Sequence, residues 1–543
     1  LTVIDAVVFG DVEGATGTVT MDAGAAFTCG SVVEEDPGFS GIYETNLGTI
    51  VFTGTFTLPY NLFQFNNLVI DGGTVTTGGR NLPIEGDLSI LSGGTLDLAE
   101  NTANRNTISG TFTVSNGSTL RIGGGGTIPA NFTNHAIGAT STIEYYGVAQ
   151  TVATLNSAQN YGNLLIDGTG LKEVNGSIGI AGNLTVNGGT FSTNTFTANR
   201  TSAGGTLTVA NGAVLRIAGS GTLPSNFSTH VIGASSTIEY SGTSAQNIAV
   251  LNSSQTYGNL SVFNSVKSLS GSITVAGTLA FGGTPNRLAI GSNTLSLEGQ
   301  ITGSLTGSRN FTASASSQLV LNGTYSRTIF MDATTPGTKN ALNSLTINHA
   351  SYNSTLGNDM VVNNNLVLTA GKLSLAARTL TVKGNIVNTV AEGIRGGSTS
   401  KMVINGSVSP SLSMDQTTPG TTNNLSTLQL NSSGQVVSLS NNLQMSGTLT
   451  FTAGKLAINN QTLTLKGLVV NTVTEGLRAG AGCNLVVNGT VSPSLSFDQT
   501  TPGVTNAIGN FTVNSSGQTV TLLNALRLTG THTPTAGVLA SGG

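Results

Sequence analysis

Short runs of alternating apolar and polar residues, broken by Gly and Asn, fill almost the whole chain. In GTLTVANGAVLRI, Leu207, Val209, Val214, Leu215 and Ile217 stand among Thr, Ala and Asn, with Asn-Gly at the corner. A period of two bounded by Asn-Gly and Gly-Gly predicts β-strands and turns. No apolar stripe at 3.6-residue spacing runs for a dozen residues, and Gly takes 73 of 543 positions, so no long helix is expected. Apart from one shorter step of 14 from Leu366 to Leu380, strand starts fall about every 20 to 25 residues, at Leu345, Leu366, Leu380, Val403 and Leu428 in one stretch. That is the length of one turn of a β-solenoid, with inward Leu, Val, Ile and Phe stacking on their equivalents in the next turn. The expected fold is all-β, an elongated parallel β-helix or β-solenoid of roughly two dozen rungs. At about 4.8 Å per rung it would form a rod on the order of 110 Å. A string of immunoglobulin-like sandwiches competes, but a module of this size would need about seven strands in long hairpins. Most segments here are short and end at Gly or Asn.

Two kinds of repeat module account for the chain. In the first, RIGGGGTIPANFTNHAIGATSTIEYYG returns as RIAGSGTLPSNFSTHVIGASSTIEYSG at a step of 95 (Arg121 to Arg216), filling residues 1–259 with a partial first copy. In the second, filling 260–543 with a partial last copy, MDATTPG, MDQTTPG and FDQTTPG place Asp332, Asp415 and Asp498 at steps of 83 (332 to 415, 415 to 498). A motif that returns at a fixed interval marks an array before it marks chemistry. The chain begins at Leu1 without initiator Met or signal peptide and breaks off inside a module, which reads as a mature product or a fragment.

Composition narrows the function. Charged residues make up 8% of the chain and the net charge is −4, so no basic stripe is available to neutralise phosphates and nucleic acid is not expected as a partner. No run reaches the roughly 18 apolar residues that span a bilayer as a helix, so no membrane span is expected. The two cysteines, Cys29 and Cys483, sit at strand positions and cannot make a disulfide framework; they are expected to be unpaired, buried or half-buried thiols.

The Asp-x-Thr-Thr-Pro-Gly loops are the obvious candidates for a site: Asp332 with Pro336 and Gly337, Asp415 with Pro419 and Gly420, Asp498 with Pro502 and Gly503. Pro-Gly fixes a bend, and the Asp can close an Asx-type turn by accepting from the Thr residues. One carboxylate per loop is too few for calcium, and loops about 20 Å apart cannot share an ion. We expect structural corner loops, self-satisfied and aligned along one face, with no metal or other cofactor. His135 and His230, in the longest segment without strand pattern, have no second His, Cys or acid close in sequence and are expected to be packed or hydrogen-bonded loop residues. Outward Arg121 with Glu144, and Arg216 with Glu239, are expected to pair across rungs as weak exposed ion pairs. Glu392 with Arg395, and Glu475 with Arg478, read as a variable corner. Catalysis on a β-helix would need two acids, or an acid with Arg and Lys, clustered once and breaking the periodicity. No such break is visible, and the Thr-rich segments do not occupy one place in every rung, as an ice-binding face would need.

Taken together, SLSFDQTTPGVTNAIGNFTVNSSGQTVTL, LTFTAGKLAINNQTLTLKG and LPSNFSTHVIGASSTIEYSGTSAQNIAVLNSSQTYGNLSV resemble the β-strand repeat regions of very large secreted proteins of Bacteroidota and related bacteria. The resemblance implies an adhesin-like cell-surface protein exported by the type IX pathway, with no catalytic residues to carry over. The expected function is that of a non-catalytic extracellular stalk or filament segment. It would associate end to end or continue into further repeats, with surface glycans or host surfaces as further partners. A polysaccharide-binding or polysaccharide-degrading β-helix is the alternative.

Overall fold

The structure is a computed structural model that describes residues 2–9, 21–34, 48–60, 64–303 and 309–542. Among the described residues there is no helix; the chain is a parallel β-solenoid. Two compact units divide it, residues 1–265 and 266–543.

In the first unit each turn lays two or three short strands, and strands pair in parallel with those one turn on. One column runs from Leu120 through Ile143, Leu164 and Leu184 to Leu207, all of them wholly buried. Inward apolar residues stack at the strand spacing while the alternate Thr and Asn stay at the surface, as the period of two requires. Corners that turn polar groups inward satisfy them there. Gln150 accepts from the Gly147 N–H and donates to the Ile122 carbonyl, and the Lys172 ammonium caps the carbonyls of Asp167 and Thr169.

The module is not a whole number of turns. Four turns take Leu120 to Leu207, 87 residues on, whereas the repeat is 95. Equivalent strands therefore move one face round. Phe132–Ile137 lies in a seven-stranded sheet and its equivalent Phe227–Ile232 in a nine-stranded one; Thr142–Tyr145 lies in the nine-stranded sheet and Thr237–Tyr240 in another.

In the second unit the strand pattern differs from expectation. Ala341–Leu356, Met360–Ser374, Asn424–Leu439, Leu443–Ala457 and Ala507–Leu522 run for 15 or 16 residues, carried through the corners by register shifts. Glycines allow the bends: Gly371, Gly454 and Gly537 have φ of 78°, 84° and 92°. A Cβ on Gly454 would stand 2.4 Å from the Ser432 carbonyl oxygen, so a side chain is excluded there twice over. The 83-residue module also misses a whole number of turns, in the other direction. Paired positions lead from Ser411 through Ser438, Ala457 and Arg478 to the level of Asp498, 87 residues on. Accordingly Leu321, Ile347 and Leu368 form one column, while their equivalents Ile404, Leu430 and Phe451 continue a different one from Val362 and Val382.

Cys29 and Cys483 are free and fully buried, as expected. Burial alone pushes the Cys29 thiol up to about 11, and burial raises that of Cys483 as well. Since the thiolate is the nucleophile, neither should react with a thiol reagent at pH near 8 until the fold is opened. Labelling followed by mass measurement, with and without denaturant, checks this; a modified Cys483 in native buffer would contradict it.

Candidate functional site: a repeated charged groove

The site grows from the glycine bend. Gly371 turns the end of Met360–Ser374 so that Lys372 leaves the wall beside inward Leu373. Leu373, Ile394 and Met414 stack in successive turns, and residues next to each supply the site: Lys372 from the first turn, Glu392 and Arg395 from the second, Asp415 and Thr417 from the third. Lys372 Nζ donates to Asp415 Oδ1 at 2.5 Å, to Thr417 Oγ1 at 2.7 Å and to Glu392 Oε2 at 3.1 Å. Asp415 is 0% exposed. Its Oδ1 also accepts from the Thr417 hydroxyl and, at 2.9 Å, from the Thr417 N–H; its Oδ2 has no hydrogen-bond partner and lies 3.9 Å from Arg395 Nε.

The arrangement recurs 83 residues later. Lys455 Nζ meets Asp498 Oδ1 at 2.5 Å, Thr500 Oγ1 at 2.8 Å and Glu475 Oε2 at 3.0 Å, with Arg478 Nε 3.9 Å from Asp498 Oδ2. Each cluster floors an open groove, of about 520 Å³ at Lys372 and about 360 Å³ at Lys455. All the positions lining one correspond to positions lining the other at the same step of 83, including Tyr352 with Gln435 and Asn353 with Val436.

Three expectations about these loops change. The Asx turns form: Thr334, Thr417 and Thr500 each donate to the Asp two residues before. Gly337, Gly420 and Gly503 turn at positive φ, with their N–H groups donating to Asn340, Asn423 and Asn506. Pro336, Pro419 and Pro502 sit inside these turns. The aspartates are nevertheless not self-satisfied, because each is also held by a cation from another turn. Nor are the loops aligned along one face, since each module steps its strands to a different column. The corner of Glu392 and Glu475 does vary, being absent from the preceding module, but neither Glu pairs with Arg395 or Arg478; each carboxylate goes to the lysine, and each Arg faces the buried Asp. Lys372 and Lys455 were the overlooked members. Their signal is the recurrence of TAGKL, with EGIR or EGLR and then DQTT following at the same intervals.

The first copy is built differently. Leu288, Phe311 and Met331 form its column, so Arg287 stands where Lys372 does and Arg309 where Glu392 does. Arg287 Nη1 donates to Asp332 Oδ2 at 3.0 Å and Lys339 Nζ lies 3.9 Å away.

Burial by itself pushes the Asp415 and Asp498 carboxyls up, but the lysine ammonium and the Thr donors outweigh it and hold both below the ordinary range. Burial likewise lowers Lys372 and Lys455, and their carboxylate partners more than restore them, leaving both raised. The sign follows from linkage. The aspartates contribute stability that is complete above their unfolded value of about 3.9 and is lost as pH falls through the lowered folded value. The lysines contribute stability that is complete below about 10.4 and is lost as pH rises through the raised one. While Lys372 and Asp415 remain an ion pair, amide hydrogen exchange around Thr417–Asn423 should therefore accelerate at both extremes, relative to the apolar columns; acceleration confined to neutral pH would contradict this.

In the first unit, Arg121 Nε meets Glu144 at 2.8 Å and its Nη1 meets Asp97 at 2.6 Å, while Arg216 meets Glu239 at 2.7 Å. The cross-turn pairing holds, with the arginine side chains 37% and 38% exposed and their carboxylate partners much more buried. The Glu144 side chain is only 11% exposed, and Tyr146 stacks on Arg121 and donates to Asp97. His135 and His230 lie in strands, not loops; both are buried and accept from the Asn156 and Asn252 N–H groups at Nδ1. Burial lowers the pKa of each, which keeps the rings neutral as acceptors. Among the described residues no group of three or more His, Cys, Asp or Glu could hold a metal ion, and no helix is long and apolar enough to cross a membrane. No known protein family, curated protein or solved structure matches this chain.

Proposed function

We propose that the chain is a non-catalytic, extracellular structural or adhesive protein, a stiff stalk or filament segment at a bacterial cell surface. One observation carries this reading: its chemistry-bearing side chains recur with the module and are turned on one another, joining three turns at a time. Groups that must move protons on a substrate have to be free to meet it, whereas Lys372, Asp415 and Thr417 are committed to each other. Self-association end to end, continuation into further repeats, and contact with surface glycans or host surfaces belong to the same proposal.

The paired grooves support a second reading, polysaccharide binding. Each is lined by two cations and one carboxylate beside hydroxyl and amide groups, over a buried Asp, a polar lining suited to the hydroxyls of a sugar. Incubation with a polysaccharide panel, read for both binding and new reducing ends, separates the possibilities. Binding without cleavage favours the adhesive form, no binding leaves the stalk, and turnover of any polysaccharide overturns the non-catalytic reading.

A further inference from the structure

We propose that Lys372 with Asp415, and Lys455 with Asp498, condense into intramolecular amide bonds, making each repeated cluster a self-forming covalent stitch across turns of the solenoid. The reacting groups are in place: an amine nitrogen 2.5 Å from a carboxyl oxygen in both copies, on strands that fix both partners. Holding reactants in this way is worth effective molarities of roughly 10⁵–10⁸ M, which favours an amide that free amine and acid in water do not form. A second carboxylate touches each amine, Glu392 at 3.1 Å and Glu475 at 3.0 Å, within proton-transfer distance.

The buried oxygen without a hydrogen-bond partner gains a purpose. Asp415 Oδ2 and Asp498 Oδ2 each face an Arg Nε at 3.9 Å, where negative charge would develop on the oxygen that stays. The step starts from the ion pair. One Nζ proton passes to Asp415 Oδ1, leaving a neutral amine and a neutral carboxylic acid. The Nζ lone pair then forms a bond to Cγ, Glu392 takes a second proton from the nitrogen, and charge collects on Oδ2 beside Arg395. Glu392 returns its proton to the Oδ1 hydroxyl, the Cγ–Oδ1 bond breaks, and water leaves. Ammonium plus carboxylate becomes amide plus water, with no change of oxidation state and no added reagent.

The first copy is a built-in control. Arg287 replaces the lysine and Arg309 the glutamate, and a guanidinium is effectively always protonated. Asp332 should keep an ordinary salt bridge.

Intact mass of the purified, folded chain tests the proposal. The expected mass is lower than that of the sequence by two waters, and a protease digest should yield branched peptides joining Lys372 to Asp415 and Lys455 to Asp498. Lys372→Arg should restore one water, and Glu392→Gln should slow formation of the first link by roughly 10²-fold or more while leaving the second unchanged. A folded wild-type chain at full sequence mass overturns the proposal, whatever the variants do. So does a water loss that survives in Lys372→Arg with no branched peptide at this site, which would be dehydration elsewhere. Either failure leaves the scaffold reading standing, because that reading fails only on polysaccharide turnover.

Discussion

Exchanging Lys372 for Met loosens the turns around Asp415 by about 3–5 kcal/mol, the usual cost of stranding one member of a buried pair. Asp415 is wholly buried, and without the ammonium its carboxylate keeps only the Thr417 donors and an Arg395 nitrogen 3.9 Å away. The carboxyl should respond by taking up its proton at a higher pH than in the wild-type chain, since burial raises it and the ammonium no longer opposes this. Replacing both partners, Lys372→Met with Asp415→Ala, should recover most of the loss, because the fully buried charge is then gone and the remaining Glu392 and Arg395 reach solvent. Solenoids unfold by neighbouring turns, so one global midpoint is a poor reporter. Hydrogen exchange at residues 392–425 is the measurement, and equal protection in the single and double variants would contradict the account.

Leu449→Ala is the second large effect, about 2–5 kcal/mol from lost burial and the cavity left behind. Leu449 is 0% exposed and stacks between Leu428 and Val469. The adjacent Val470 points outward at 40% exposure, and Val470→Ala should stay within about 0.5 kcal/mol. Lost protection should be concentrated in 424–439, 443–457 and 469–471, with the columns of residues 294–322 unaffected. Comparable losses for the two substitutions would mean that the alternation does not define inside and outside.

The contrast between these two sites explains what could be read from the amino acids alone. Inward Leu449 and outward Val470 follow from a period of two, and stacking follows from turns of near-constant length. Alternation and repetition are local patterns, so the β-solenoid, its buried thiols and the Asx turns were legible. The partner of Asp415 was not, because Lys372 stands 43 residues away and reaches it past an intervening turn. Only the register of three stacked turns brings them together. Arg121 with Glu144 was easier: both occupy matched positions in adjacent strands. The His135 strand was missed for a different reason. Its sequence, FTNHAI, breaks alternation, and pairing with Ser109–Val114 imposes the extended conformation. The long strands of the second unit were hidden by their own bulges, since a positive-φ glycine looks like a stop when read locally.

The mismatch between repeat length and turn length has a mechanical consequence. In the second unit each module is four residues shorter than four turns, so successive charged clusters occur on different sides of the solenoid wall. Fastenings confined to one side make a hinge line, about which a shaft bends freely away from the fastened edge. Fastenings that step round it leave no single such line, and the three clusters share a bending load between different sides of the wall.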